Sequence, residues 1–140
     1  MNLHLTHKEE LGISGFHNVL VTSNDMHDVL NEIPAASCKN IIVSSCLHTI
    51  DYDNAVETLS KTISKLRSGG QFNITCLDFE NLFMDYEYGK VSGEQINKII
   101  KTASSVIRIS EVKELLLNNN RFISAIVKQE HDVIFSGGRK

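Results

Sequence analysis

The stretch from Asn40 to Leu77 limits what this chain can fold into more than any other part of it. It opens on the apolar, β-branched run Asn40-Ile41-Ile42-Val43-Ser44-Ser45, the pattern of a central strand covered on both faces. Asp51 to Arg67 follows as a helix, with Asp51 or Asp53 as N-cap and Val56, Leu59, Ile63 and Leu66 recurring at three- and four-residue steps. Ser68-Gly69-Gly70 reads as its stop, because glycine accepts the positive φ of a helix terminus, and Gln71 to Leu77 runs on as a second strand. Strand, helix, glycine pair and strand make a βαβ crossover. Such units are right-handed almost without exception and imply a parallel sheet with helices packed on its faces.

The flanking segments extend that plan. Leu3 and Leu5 alternate with polar neighbours in a first strand; after the loop Lys8 to Gly15, Val19-Leu20-Val21 forms a second, stopped by Thr22-Ser23-Asn24-Asp25. Met26 to Ile33 is predicted as one or two helical turns ended by Pro34. Downstream, helices are predicted from Phe79 to Tyr88 before Gly89, from Ser92 to about Ser104 with Ile96, Ile99 and Ile100 on one face, and from Glu111 to Asn118 with Ser110 as cap. Asn118-Asn119-Asn120 suits a left-handed stop. Phe122 to Val127 and Asp132 to Phe135 then form a hairpin across Lys128-Gln129-Glu130-His131. The fold class is therefore α/β, a mostly parallel sheet with a C-terminal antiparallel hairpin. With no repeat or linker, residues 1–136 are expected to form a single domain and residues 137–140 a flexible tail.

Composition excludes several functions. A chain of 140 residues with 41% hydrophobic and 22% charged side chains suits one compact core. A net charge of −3 leaves no basic surplus for gripping phosphate backbones, which argues against nucleic-acid binding. No apolar run approaches the roughly 18 residues of a membrane span. Met1 to His7 has neither a basic start nor a secretory apolar stretch, so a cytoplasmic setting away from membranes is expected. Cys38, Cys46 and Cys76 form an odd set without a C-x-x-C pair, against a disulfide framework or zinc knuckle. Cys46 and Cys76 read as small buried hydrophobes; the alternative, a catalytic thiol, needs His48 hydrogen bonded to Cys46. His4, His7, His17 and His27 lack the i, i+4 spacing that presents two ligands on one helix face, so no metal is expected. Asn73-Ile74-Thr75 matches a glycosylation acceptor but lies inside a predicted core strand and is discarded.

In its order of elements and in particular residues the chain resembles the compact class I S-adenosylmethionine-dependent methyltransferases, in the short version found in phage genomes and polysaccharide gene clusters. The most specific part is Ile41 to Leu82, with a strand ending in Leu47, the crossover helix, Leu66, Gly69-Gly70, a strand, and the turn Asp78-Phe79-Glu80-Asn81-Leu82. Tyr86 and Gly89 fit as well. Gly15-Phe16-His17-Asn18-Val19 and His27-Asp28-Val29-Leu30 with Pro34 resemble the segments flanking the family's second and third strands, and Ser110 to Phe122 its last helix. The resemblance implies a Rossmann-like fold with cofactor binding at the end of the first strand.

Three departures fall on the positions where that family binds its cofactor. A Rossmann-like site uses a G-x-G turn after strand one and an acidic residue after strand two for the ribose hydroxyls. Here the glycine positions hold Thr6, His7 and Lys8, followed by Glu9 and Glu10, and the ribose acid is replaced by Leu20. The family's Glu-His pair following the leucine after the central strand appears as His48-Thr49. An unpartnered ribose hydroxyl costs about 1–3 kcal/mol, and a filled glycine turn can abolish binding.

The leading expectation is a degenerate, non-catalytic methyltransferase-like domain that binds no cofactor and serves as a structural or protein-interaction module, as a homo-oligomer or with a protein partner. In the alternative, an active methyltransferase with an atypical loop binds S-adenosylmethionine, with Asp28 (or Asp25) on the nucleoside and His48 or Asp78 at the acceptor. Abundant asparagine, isoleucine and lysine suit an AT-rich genome such as a phage's, and a virion component is one setting for such a module. Phe79, Phe83, Tyr86 and Tyr88 could supply its contact surface, although their helical spacing more commonly marks core.

Overall fold

The computed structural model describes all 140 residues. In chain order it contains β1 (Asn2–Thr6), β2 (His17–Leu20), α1 (Met26–Glu32), β3 (Cys38–Ser44), α2 (Tyr52–Ser64), β4 (Leu66–Leu77), α3 (Phe79–Glu87), α4 (Gly93–Thr102), α5 (Ile109–Asn118), β5 (Phe122–Gln129) and β6 (Asp132–Gly138). Single 3-10 turns occupy Glu9–Leu11 and Leu47–Thr49. The strands form one six-stranded sheet in the order β2-β1-β3-β4-β6-β5. β1 to β4 pair in parallel, and β6 runs antiparallel to both β4 and β5. This is the Rossmann-like α/β architecture with antiparallel closing strands that the sequence predicts.

The strand register sorts the side chains into two unlike faces. On one, Val19, Leu5, Val43, Ile74 and Phe135 stand side by side, each 2% exposed or less. Met26 and Leu30 of α1, Leu59 and Ile63 of α2, and Val112 and Leu116 of α5 pack with that row in one apolar cluster. α3 and α4 stand apart around a small cluster of Phe79, Leu82, Val91 and Ile96.

The opposite face has no such helix layer. Its middle row runs Asn18, His4, Ile42, Asn73, Ser136 and Ala125 across the sheet, and Asn18, Asn73 and Ala125 are exposed. An open groove of about 450 Å3 on β3, β4, β5 and β6 is walled by Phe16 and Phe122 and otherwise lined by strand residues alone. β3 is central, as expected, but its cover on both faces is not found. Its polar residues Asn40 and Ser44 share the Ile42 side, and residues 7–16 between β1 and β2 form only a 3-10 turn where a doubly wound sheet would place a helix. Side-chain hydrogen bonds take the place of packing here: Asn40 Nδ2 donates to Asn2 Oδ1 at 3.0 Å and Ser136 Oγ to Asn73 Oδ1 at 2.6 Å.

Several boundaries move for identifiable reasons. α2 ends at Ser64, and Leu66 to Gly70 belong to β4 instead of the helix and its stop. Arg121 donates to the carbonyl of Ile63 through Nε and Nη2 at 3.2 and 2.7 Å, tying off the helix end, while Gly69 N–H donates to Arg139 O and Arg139 N–H to Gly70 O. The glycine pair forms a bulge, where the register passes from Cys38 opposite Leu66 to Asn40 opposite Gln71 and Gly69 takes a φ of 78°. Gly137 and Gly138, expected in a flexible tail, end β6. α5 starts one residue before Ser110, so that serine lies in its first turn and is not its cap. The hairpin loop shrinks to Glu130-His131. Asn120 does adopt the left-handed conformation, with a φ of 59°.

A Cβ added to Gly137 would sit 1.9 Å from the backbone oxygen of Phe122, whereas one added to Gly93 meets nothing within 4 Å. Gly137→Ala is therefore expected to cost about 3 kcal/mol or more in urea denaturation. Gly93→Ala should stay within about 0.5 kcal/mol of the parent.

Candidate functional site at the strand carboxyl ends

Ligands of open α/β sheets bind outside the carboxyl ends of the parallel strands, here Thr6, Leu20, Ser44 and Leu77. Thr6 is 2% exposed, and the turn after β1 folds over it: Lys8 N–H donates to Thr6 Oγ1 at 3.4 Å, and that hydroxyl lies 3.3 Å from Lys8 O. Val21 N–H donates to Thr6 O at 2.9 Å, tying the turn to the end of β2. Lys8, Glu9 and Glu10 are exposed. Leu20 borders a shallow cavity of about 280 Å3 with Glu9, Asn18 and Asp25, but Thr6, Lys8 and Asp28 do not line it. Asp28 is exposed in the first turn of α1. Thr6 is thus brought against Lys8 by hydrogen bonding and beside Leu20 by strand register, while Asp28, the weaker candidate, does not border the cavity next to Leu20.

The segment around His27 resembles the flank of the family's third strand, yet it is helical. His27 Nε2 lies 3.1 Å from Asn54 Oδ1 and its Nδ1 3.3 Å from Lys61 Nζ, so α1 is fastened onto α2 and no third strand forms. Asp25 is also engaged, accepting a hydrogen bond from Ser23 Oγ.

At the end of β3 the chain turns sharply through Ser45, at a φ of 37°, and Ser45 Oγ donates to Asp132 Oδ1 at 3.3 Å. His48 is half-buried, its ring edge-on to Phe79 with centroids 6.2 Å apart. Burial, with His7 nearby, pushes the His48 imidazole below its ordinary pKa; His7 is lowered likewise, by burial first and then by Lys8. The juxtaposition of His7 and His48 was missed by sequence reasoning, although both follow neighbouring strands. The linker after α4 lies over this loop, with Ser104 and Ser105 N–H donating to His48 O at 2.7 and 3.2 Å. Beneath it a cavity of only about 10 Å3 remains between Leu47, His48, Cys76, Leu77, Phe79 and Ile107, room for about one water. Asp78 caps α3, its Oδ1 accepting from Asn81 N–H at 3.1 Å.

The thiol alternative is overturned. Cys46 and Cys76 are buried, and burial pushes both thiols up to about 12, so neither is a thiolate near neutral pH. No hydrogen bond joins Cys46 to His48. No three His, Cys, Asp or Glu side chains converge as metal ligands, and no helix is long and apolar enough to cross a membrane.

No protein-family model matches the sequence, and no curated protein matches it either. Solved structures do. The chain superposes on the PH0226 protein of Pyrococcus horikoshii OT3 with a TM-score of 0.67 at 14% identity, over 99% of this chain and 81% of that one. A SAM-dependent methyltransferase from Archaeoglobus fulgidus gives 0.64 at 12% identity, over 96% and 74%. An O-methyltransferase family protein from Burkholderia thailandensis gives 0.61 at 10% identity over 79% of this chain, which spans 33% of that protein's length. The fold is that of the class I methyltransferases. Likeness at these identities is one of architecture, so the class I methyltransferase fold is established here without its chemistry.

Two measurements follow from the burial of these groups. Native protein should not react with a thiol reagent such as Ellman's, and all three cysteines, Cys38, Cys46 and Cys76, should react once it is unfolded. For His48 and His7 the folded pKa lies below the ordinary 6.5, so the unfolded chain binds more protons between the two values. Their contribution to stability is whole above about pH 6.5 and is lost as pH falls through the folded values. Histidine NMR titration should place the His48 midpoint below 6.5.

Proposed function

We propose that this protein is a non-catalytic member of the methyltransferase architecture that works as a protein-interaction module. One observation carries the reading: the chain folds back over the carboxyl ends of β1 and β3, with buried Thr6 beneath the turn after β1 and the α4–α5 linker hydrogen bonded over His48. The cavity of about 10 Å3 left beside His48 contrasts with the roughly 300–1,000 Å3 of small-molecule sites. The Leu20 side chain offers no acceptor to a ribose hydroxyl, and the cavity it borders with Asp25 is lined by none of Thr6, Lys8 and Asp28. The residues present do not fit S-adenosylmethionine, and no cofactor is assigned. Phe83, Tyr86 and Tyr88, exposed on and after α3, support a role in protein contact, and a net charge of −3 weighs against nucleic acid. A cytoplasmic or virion-associated setting completes the proposal, on composition alone.

His48 favours a second reading, an active methyltransferase, because a neutral imidazole at this end of the sheet could accept an acceptor's proton. Isothermal titration with S-adenosylmethionine and S-adenosylhomocysteine to millimolar concentration separates the two. Absence of saturable heat is expected. Saturable binding tighter than about 100 μM, roughly 5.5 kcal/mol, would overturn the first reading and promote the second.

A further inference from the structure

The two edges of the sheet are built differently. β2 has four residues, whereas β5 has eight, from Phe122 to Gln129, of which all but Ile123 are exposed. Exposed edges are ordinarily blunted by proline, by central charges, by bulges or by a covering segment, since their unpaired N–H and C=O groups accept any further strand. β5 has no proline, and its one charged residue, Lys128, lies near its end. Its register irregularity falls between Ile123 and Ala125, leaving Ala125 to Gln129 regular.

Apolar side chains are exposed on both sides of this edge. Ile126 registers with Phe135 and so faces the helix layer, where it is 47% exposed; Leu117 at the end of the adjoining α5 is 49% exposed. Val127 registers with Ile134 on the open face and is 52% exposed, with Phe122 on that same face at 41%.

We propose that β5 is the seam of a homodimer, in which two copies pair their β5 strands antiparallel about a twofold axis and join their six-stranded sheets into one. Unpaired backbone groups select a strand as the occupant, and apolar residues on both sides select a strand of similar character. A second copy of β5 meets both conditions and is self-complementary under a twofold. Antiparallel pairing also sets the two Lys128 residues at opposite ends of the seam, toward the Phe122 end of the other copy, so like charges do not meet. This goes beyond the interaction-module reading, because it rests on the β5 edge and not on whether a cofactor binds.

Sedimentation velocity and light scattering on the full chain at about 100 μM test it, a concentration that populates dimers with dissociation constants of that order or tighter. The expected mass is twice the 15.7 kDa of the chain. Ile126→Lys and Val127→Lys, each at a side chain about half exposed, should keep the native circular dichroism and return the 15.7 kDa monomer. Phe83→Lys, on exposed α3, should leave the dimer intact. A monomeric parent protein, a dimer that survives both β5 substitutions, or one that Phe83→Lys dissociates would each overturn the proposal.

Discussion

Leu5, Val43, Ile74 and Phe135 stand side by side across four neighbouring strands, and burying that row under α1, α2 and α5 is the interaction on which the remaining structure depends. Each such side chain contributes about 1.5–3 kcal/mol when fully buried, and none of the four is exposed. The row also fixes the register, because a slip of one residue in β1 or β4 would set His4 or Asn73 against the helices. Arg121 reinforces the arrangement from the edge, binding the last turn of α2 to the start of β5.

Concentrating the core on one face creates a requirement on the other. His4 lies there 1% exposed, and its neighbours determine its state. Asn18 Oδ1 accepts from Ile13 N–H while its Nδ2 donates to Ile13 O and Phe16 O, so the oxygen is the atom 2.7 Å from His4 Nδ1. In the neutral ring Nδ1 therefore carries the proton, and Nε2 accepts from Ser44 Oγ at 2.7 Å. A buried imidazole satisfied at both nitrogens joins β1, β2 and β3 where a doubly wound protein would use a helix. The same missing helix has a consequence at the carboxyl end. A phosphate- or nucleotide-binding turn of the Rossmann type delivers the chain into a helix N-terminus, and the 3-10 turn at Glu9–Leu11 offers no such dipole.

The βαβ crossover, the helices at Met26, Phe79 and Ser92, and the closing hairpin were legible because their periodicity and caps are local properties. Asp51, Asp78 and Ser92 each accept the N-cap hydrogen bond that their residue types suggest. The glycine pair misled because Gly69 takes the same positive φ in a bulge as at a helix stop, and only the pairing of Arg139 with Gly69 and Gly70 decides between them. Ile41 to Val43 reads as doubly covered because an apolar run does not say what its neighbours place beside it. At the site, Thr6, Leu20 and His48 were identified as departures from a pattern. Nothing local, however, indicates that Ser104 and Ser105 return over His48, or that His7 lies beside it.

That return ties the loop after β3 to the chain beyond α4. The linker at 103–108 is shared between two clusters, Ala103 packing against the four buried residues around α3 and α4 and Ile107 against the 23 of the main core. Local opening draws on the elements with the fewest buried contacts, so α3 and α4 are expected to open ahead of the helix-covered row, to which Ile107 anchors the end of the linker. Phe79 is the hinge of that coupling, since it belongs to the small cluster and also abuts the His48 ring. Cover over His48 and docking of α3 are thus coupled through one side chain. A partner that grips the exposed Phe83, Tyr86 and Tyr88 would act on the state of the strand ends without touching the sheet.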